Sequence, residues 1–219
     1  MIHKEAWYRE SLTEVEVRRL KRDLDDGQIT PEEYSRQVGR SGQPTLFDFG
    51  EGLVPAHRHI NPDESEGGWV AATEAVSATC TIGKDAQVSG SAQVRGRARV
   101  YGDAVVSENA RVWGMAWVSG EAEVSGDAVV FEDAHVSGRA QVSGEAQVSG
   151  EAQVSGEAQV GGNAQVGGNA MVLGRARVSG SAVVYGNAYV FGSAWVLGSA
   201  WVLGNAVVDY VVSSGEVTG

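Results

Sequence analysis

A chain of 219 residues with 42% hydrophobic content can bury a core, but thirty glycines against four prolines set it apart from an ordinary globular composition. The formal charge is −11, with 9 basic and 14 acidic residues over positions 1–69 and 8 and 14 over the rest, so neither part carries the basic excess that gripping nucleic-acid phosphates requires. The single cysteine, Cys80, excludes an internal disulfide framework, and the opening Met1-Ile-His-Lys-Glu lacks the apolar run of a signal peptide or a membrane span, which predicts a soluble protein made in the cytosol.

Residues 1–42 read as a small α-helical hairpin. Val17, Leu20 and Leu24 recur at helical spacing after a Ser11 or Thr13 cap, and Gly27 stops the run. Thr30-Pro31-Glu32-Glu33 then opens a second helix through Val38, with threonine as cap and proline in the first turn. The stretch Leu20-Lys-Arg-Asp-Leu-Asp-Asp-Gly-Gln-Ile-Thr-Pro-Glu-Glu-Tyr34 resembles the helical hairpin called the SHOCT module, and that resemblance implies an oligomerisation or docking element. An EF-hand reading of Asp26, Gly27 and Glu33 fails because Arg22 and Leu24 fall on the first and third ligand positions.

Residues 43–69 carry Pro44, Pro55 and Pro62 with scattered hydrophobics and charges, the pattern of an extended arm without regular structure. Leu46, Phe47, Phe49 and Leu53 would gain nothing in a free tether, so Phe47 and Phe49 are candidate contacts to another subunit or a partner.

From residue 86 to 208 the unit Ala-x-Val recurs every six residues in 21 consecutive copies, and Cys80-Thr81-Ile82, Val76 and Val70 keep the phase upstream. The alternation of small apolar, variable, β-branched and variable residues is the period-2 signature of a short strand with one buried face. The slot two residues after each valine, from 90 to 204, holds glycine in 18 of 20 cases, the exceptions being Glu108 and Glu132, which marks a turn that a Cβ would hinder. A strand of about four residues cannot bury its face alone, so the units must coil and stack. The prediction is an all-β solenoid over 70–208, a parallel β-helix of about eight coils, with a C-terminal cap or tail at 209–219.

An uninterrupted hexad of this kind, as in Val184-Tyr-Gly-Asn-Ala-Tyr-Val190, resembles the hexapeptide-repeat family and bacterial and phage proteins labelled as acyltransferases of that family. The resemblance implies three hexads per coil and a left-handed helix, the hand coming from the family alone because parallel crossovers are normally right-handed. Bactofilin-like polymer-forming proteins have less regular repeats. Family acyltransferases use a histidine base at a cleft between subunits, commonly with a loop inserted into the coils; here no loop interrupts the hexads. His135 is the one histidine among them, at an outward station near Glu132 and Asp133. Zinc as in the γ-class carbonic anhydrases needs several histidines on adjacent coils, and His57 and His59 lie in the arm. Neither a catalytic site, a cofactor nor a metal is expected.

The stations flanking each valine face outward. The eleven from 137 to 167 hold only Ser, Gln and Gly, whereas of the thirteen from 171 to 207 all but Arg177 and Ser179 are apolar. Leu173, Tyr185, Tyr189, Phe191, Trp195, Leu197, Trp201 and Leu203 are therefore candidate partner contacts, and a smaller patch includes Trp113, Trp117 and Phe131. The expected function is a non-catalytic structural or assembly protein, a rigid rod docking to itself as a homotrimer or to a larger protein assembly, such as a phage capsid-decorating or tail-associated component. A hexapeptide-repeat acyltransferase and a cytoskeletal polymer are the alternatives.

Overall fold

The computed structural model describes residues 45–72 and 75–219, with the single positions 19, 20, 22, 23, 28 and 29. Apart from those six positions, the expected helical hairpin and its SHOCT-like stretch lie outside the described residues. The chain divides into two compact units, Met1–His57 and Arg58–Gly219.

Part of the stretch expected to lack regular structure is a β-hairpin over residues 45–60. Strand β1 (Thr45–Asp48) pairs antiparallel with β2 (Leu53–Ile60), with Thr45 opposite Ala56 and Asp48 opposite Leu53. The turn between them is held by the Asp48 carboxylate, whose Oδ1 accepts the N–H groups of Gly50 at 2.8 Å and Gly52 at 2.9 Å. Both glycines have φ near +106°, a conformation that a Cβ would resist. Leu46 is buried, and the Phe47 and Phe49 rings pack edge to face with centroids 4.8 Å apart. The extended-arm expectation is thus corrected for residues 45–60: Leu46, Phe47 and Phe49 pack in a hairpin, while Leu53 stays exposed.

Most rungs of the second unit, from Ala75–Val76 to Val211–Val212, are two-residue strands, shorter than the four expected. The first rung is β3 (Glu66–Ala71), which also removes the end of the expected arm. Its Trp69 and Val70 stand opposite Gln87 and Val88, and from there the register advances by eighteen residues per coil: Gln87 against Val105, Glu123 against Gln141, Gln159 against Arg177. Three hexads therefore make one coil. Each occupies one of three parallel sheets whose rungs begin at β3, at Ala75–Val76 and at Thr81–Ile82.

Within a sheet each coil donates to the next. In the middle of the rod Gln141 N–H reaches Ala158 O at 2.9 Å, Ser143 N–H reaches Val160 O at 2.9 Å, and Glu145 N–H reaches Gly162 O at 2.8 Å. The alanine and valine of every unit from Ala86 to Val202 are buried to within 1%. Each valine contributes about 1.5–3 kcal/mol of burial, and alanine leaves room for three sheets to close on one narrow core.

The first coil has no coil before it, and polar side chains take its place. Asn61, itself buried, accepts the Ile82 N–H on Oδ1 at 2.8 Å. The buried His59 places Nε2 3.1 Å from Cys80 O, and Arg58 donates to Lys84 O at 2.7 Å. At the other end, residues expected as a tail continue the coils. Val211–Val212 pairs with Trp195–Val196, and Glu216–Thr218 pairs with Trp201–Leu203, although the spacing falls below six residues per unit.

Candidate functional site

The eighteen-residue coil sorts the outward stations into columns that sequence order hides. On the first face the stations before the valines read Gln87, Val105, Glu123, Gln141, Gln159, Arg177, Trp195 and Val211 in successive rungs. On the second they read Gln93, Arg111, Val129, Gln147, Gln165, Val183 and Trp201, and on the third Arg99, Trp117, His135, Gln153, Met171, Tyr189 and Val207.

The C-terminal apolar residues are therefore not one patch but a collar around the last two coils. Trp195 and Leu197 lie on the first face, Tyr185, Trp201 and Leu203 on the second, and Leu173, Tyr189 and Phe191 on the third. Trp195, Trp201 and Tyr185 are 42%, 50% and 52% exposed, while Leu173, Tyr189, Phe191, Leu197 and Leu203 are half-buried. The Tyr189 and Phe191 rings, on either side of Val190, have centroids 5.0 Å apart. Arg177, a polar exception, lies under Trp195 with its guanidinium 5.3 Å from the ring centre. Tyr185 leans over Gly167, where a Cβ would run into the ring, so glycine replaces the serine of Ser149 one coil earlier.

The smaller aromatic patch divides likewise. Trp113 and Phe131 lie in one column of the second face. On the third, Trp117 sits between Tyr101, 5.8 Å away edge to face, and His135, 5.6 Å away. The imidazole of His135 thus ends a stack of rings on an open face. Glu132, the carboxylate that could have oriented it, is occupied elsewhere: its Oε2 accepts the Gly150 N–H at 2.6 Å. Among the described residues no group of three or more His, Cys, Asp and Glu side chains is placed to hold a metal ion. Cys80 fills an alanine slot with no exposed surface, and burial raises its thiol above the ordinary value of 9.0.

The corners carry polar ladders. Glu121, Arg139, Glu157 and Arg175 alternate along one corner, with Arg139 Nε 3.2 Å from Glu121, Arg139 Nη1 3.8 Å from Glu157, and Arg175 Nε 3.2 Å from Glu157. All four are exposed, so each pair contributes at most about 1 kcal/mol. Along another corner Asn169 donates to Asn187 at 3.1 Å and Asn187 to Asn205 at 3.0 Å. These ladders tie coil to coil.

Residues 92–108, which span the turns at Gly96 and Gly102 and three successive rungs, match the family described as YdcK beta solenoid repeat. The chain is a β-solenoid. The match covers less than one full coil, so it bears on the repeat and leaves the chemistry open. No curated protein matches the chain significantly. Among the described residues no helix is long and apolar enough to cross a membrane.

Proposed function

We propose that this solenoid is a non-catalytic assembly rod that associates laterally through the apolar collar of its last coils, as a homotrimer. The observation that carries this reading is the contrast within one regular scaffold. The core is the same Ala and Val throughout, yet the outward stations change from Gln, Ser and Gly between 137 and 167 to exposed Trp, Tyr and Val in the last two coils. Burial of the core explains none of that change, because those side chains lie outside it. Aromatic anchors on a flat face are the composition of an interface centre. A rod of this kind, preceded in the chain by a hairpin with Phe47 and Phe49 half-buried, suits a component of a larger particle such as a virion.

Two measurements test the proposal. Light scattering of the full-length protein should give about 69 kDa, three copies of the 23.0 kDa chain, and a mass of one chain would overturn it. Acyl-thioester turnover with a panel of small acceptors should be absent; turnover lost in His135→Ala would establish the acyltransferase reading instead.

A further inference from the structure

The net charge conceals a local concentration of the opposite sign. Four of the eight basic residues beyond position 70 are Arg95, Arg97, Arg99 and Arg111, and the eighteen-residue coil gathers them on the second face and around its edge with the third. Arg111 stands opposite Gln93 in the rung next to Arg95, Arg97 occupies the corner, and Arg99 stands opposite Trp117. Among the described residues none of the four is in an ion pair, in contrast to Arg139 and Arg175. Arg95, Arg97 and Arg99 are exposed.

A shallow depression of about 380 Å³ lies on the second face between Arg95 and Arg111, and a second of about 340 Å³ lies across the corner beside Arg97 and Arg99. The first is walled by Trp113, Gln93, Asn109 and Asp127. Asn109 donates to Asp127 at 3.1 Å, and the Arg111 guanidinium lies 5.9 Å from the centre of the Trp113 ring. Among the described residues the buried indole Nε1–H of Trp113 has no hydrogen-bond partner, which is costly for a buried donor.

We propose that this edge binds a carboxylate-bearing sugar chain, an acidic polysaccharide. Guanidinium groups offer paired donors to a carboxylate. The side-chain amides of Gln93 and Asn109 can donate to and accept from hydroxyls, the carboxylate of Asp127 accepts from them, and an indole packs against the apolar face of a sugar ring. Nucleic acid fits less well. A duplex carries one negative charge per about 1.7 Å and would lie against Asp127 and, further along the edge that carries Arg97, Asp133. A glycan with one carboxylate every sugar or two needs only a few cations.

The test is titration of the full-length protein with oligogalacturonate, followed by calorimetry and tryptophan fluorescence, with neutral cellohexaose and oligo-dT in parallel. Oligogalacturonate should bind, more weakly as salt rises, and cellohexaose should not. The double variant Arg95→Gln/Arg111→Gln should lose at least tenfold in affinity. Trp113→Phe, which keeps a ring but removes the Nε1–H, should lose a few-fold, and Arg175→Gln, at a distant ion-paired corner, should bind as the native chain does. Absence of oligogalacturonate binding, equal loss in Arg175→Gln, or tighter binding of oligo-dT would each overturn the proposal. So would a change in the protein's mass in the double variant, which would make the edge a contact between copies. Unchanged far-UV circular dichroism in every variant keeps a loss of binding separate from a loss of fold.

Discussion

Glutamate replaces glycine at two of the twenty turn slots, 108 and 132, and both keep the left-handed backbone of the glycines around them, with φ of +59° and +61°. A residue with a Cβ loses about 1–2 kcal/mol in that conformation. Each glutamate regains part of it by accepting a backbone N–H of the next coil, Glu108 from Gly126 at 2.5 Å and Glu132 from Gly150 at 2.6 Å. Glu132→Gly should therefore be nearly neutral, because relief of the turn offsets the lost bond. Glu132→Ala keeps the strained backbone and loses the bond, so it should destabilise by about 1–2 kcal/mol. Urea unfolding of the three proteins checks the order, and an alanine variant as stable as the native chain would contradict it. The position of both glutamates was legible in the hexad phase. Their carboxylate bonds were not, because the partner is a backbone group eighteen residues away.

At the scale of the coil, the units are interchangeable in the core and distinct only on the surface. Stability in such an array is approximately a sum of unit and neighbour terms. Deletion of residues 163–180, one whole coil, joins Gly162 to Ser181 and restores the same Ala and Val sequence across the junction. That variant should fold, keep its strand signal per residue, and give a rod shorter by about 4.8 Å in small-angle scattering. Loss of cooperative unfolding would show that the coils are not independent units. The repeat was readable because its period sits in the chain itself. The hairpin at 45–60 was missed because Pro55 and the mixed composition outweighed a signal that was present: Asp48-Phe-Gly-Glu-Gly52 between two apolar runs is a turn flanked by strands. A proline in a strand is tolerated at an edge or a non-donating position.

For the molecule as a whole, column order matters more than chain order. Reading the apolar stations along the chain suggested one C-terminal patch, whereas the coil distributes Trp195, Trp201 and Tyr189 over three different faces. The same folding of the sequence onto itself brings Arg95 and Arg111 to neighbouring rungs, although the composition shows only an excess of acid. A collar open on every face can bind a neighbour on two sides at once, as closing a ring of identical subunits requires. Replacing Trp201 by arginine puts a charge into that contact while Ala200 and Val202 remain in the core, and an interface anchor of this kind is worth about 2 kcal/mol or more. Gln153, at the same kind of outward station in the polar coils but on the third face, provides the control.

Sedimentation equilibrium of the native chain, Trp201→Arg and Gln153→Arg at one concentration tests the central claim most directly. The account predicts that the native chain and Gln153→Arg sediment as the same oligomer and that Trp201→Arg falls to the 23.0 kDa single chain. If Trp201→Arg and Gln153→Arg sediment alike, the collar stabilises the monomer alone and the rod is not held together by its last coils.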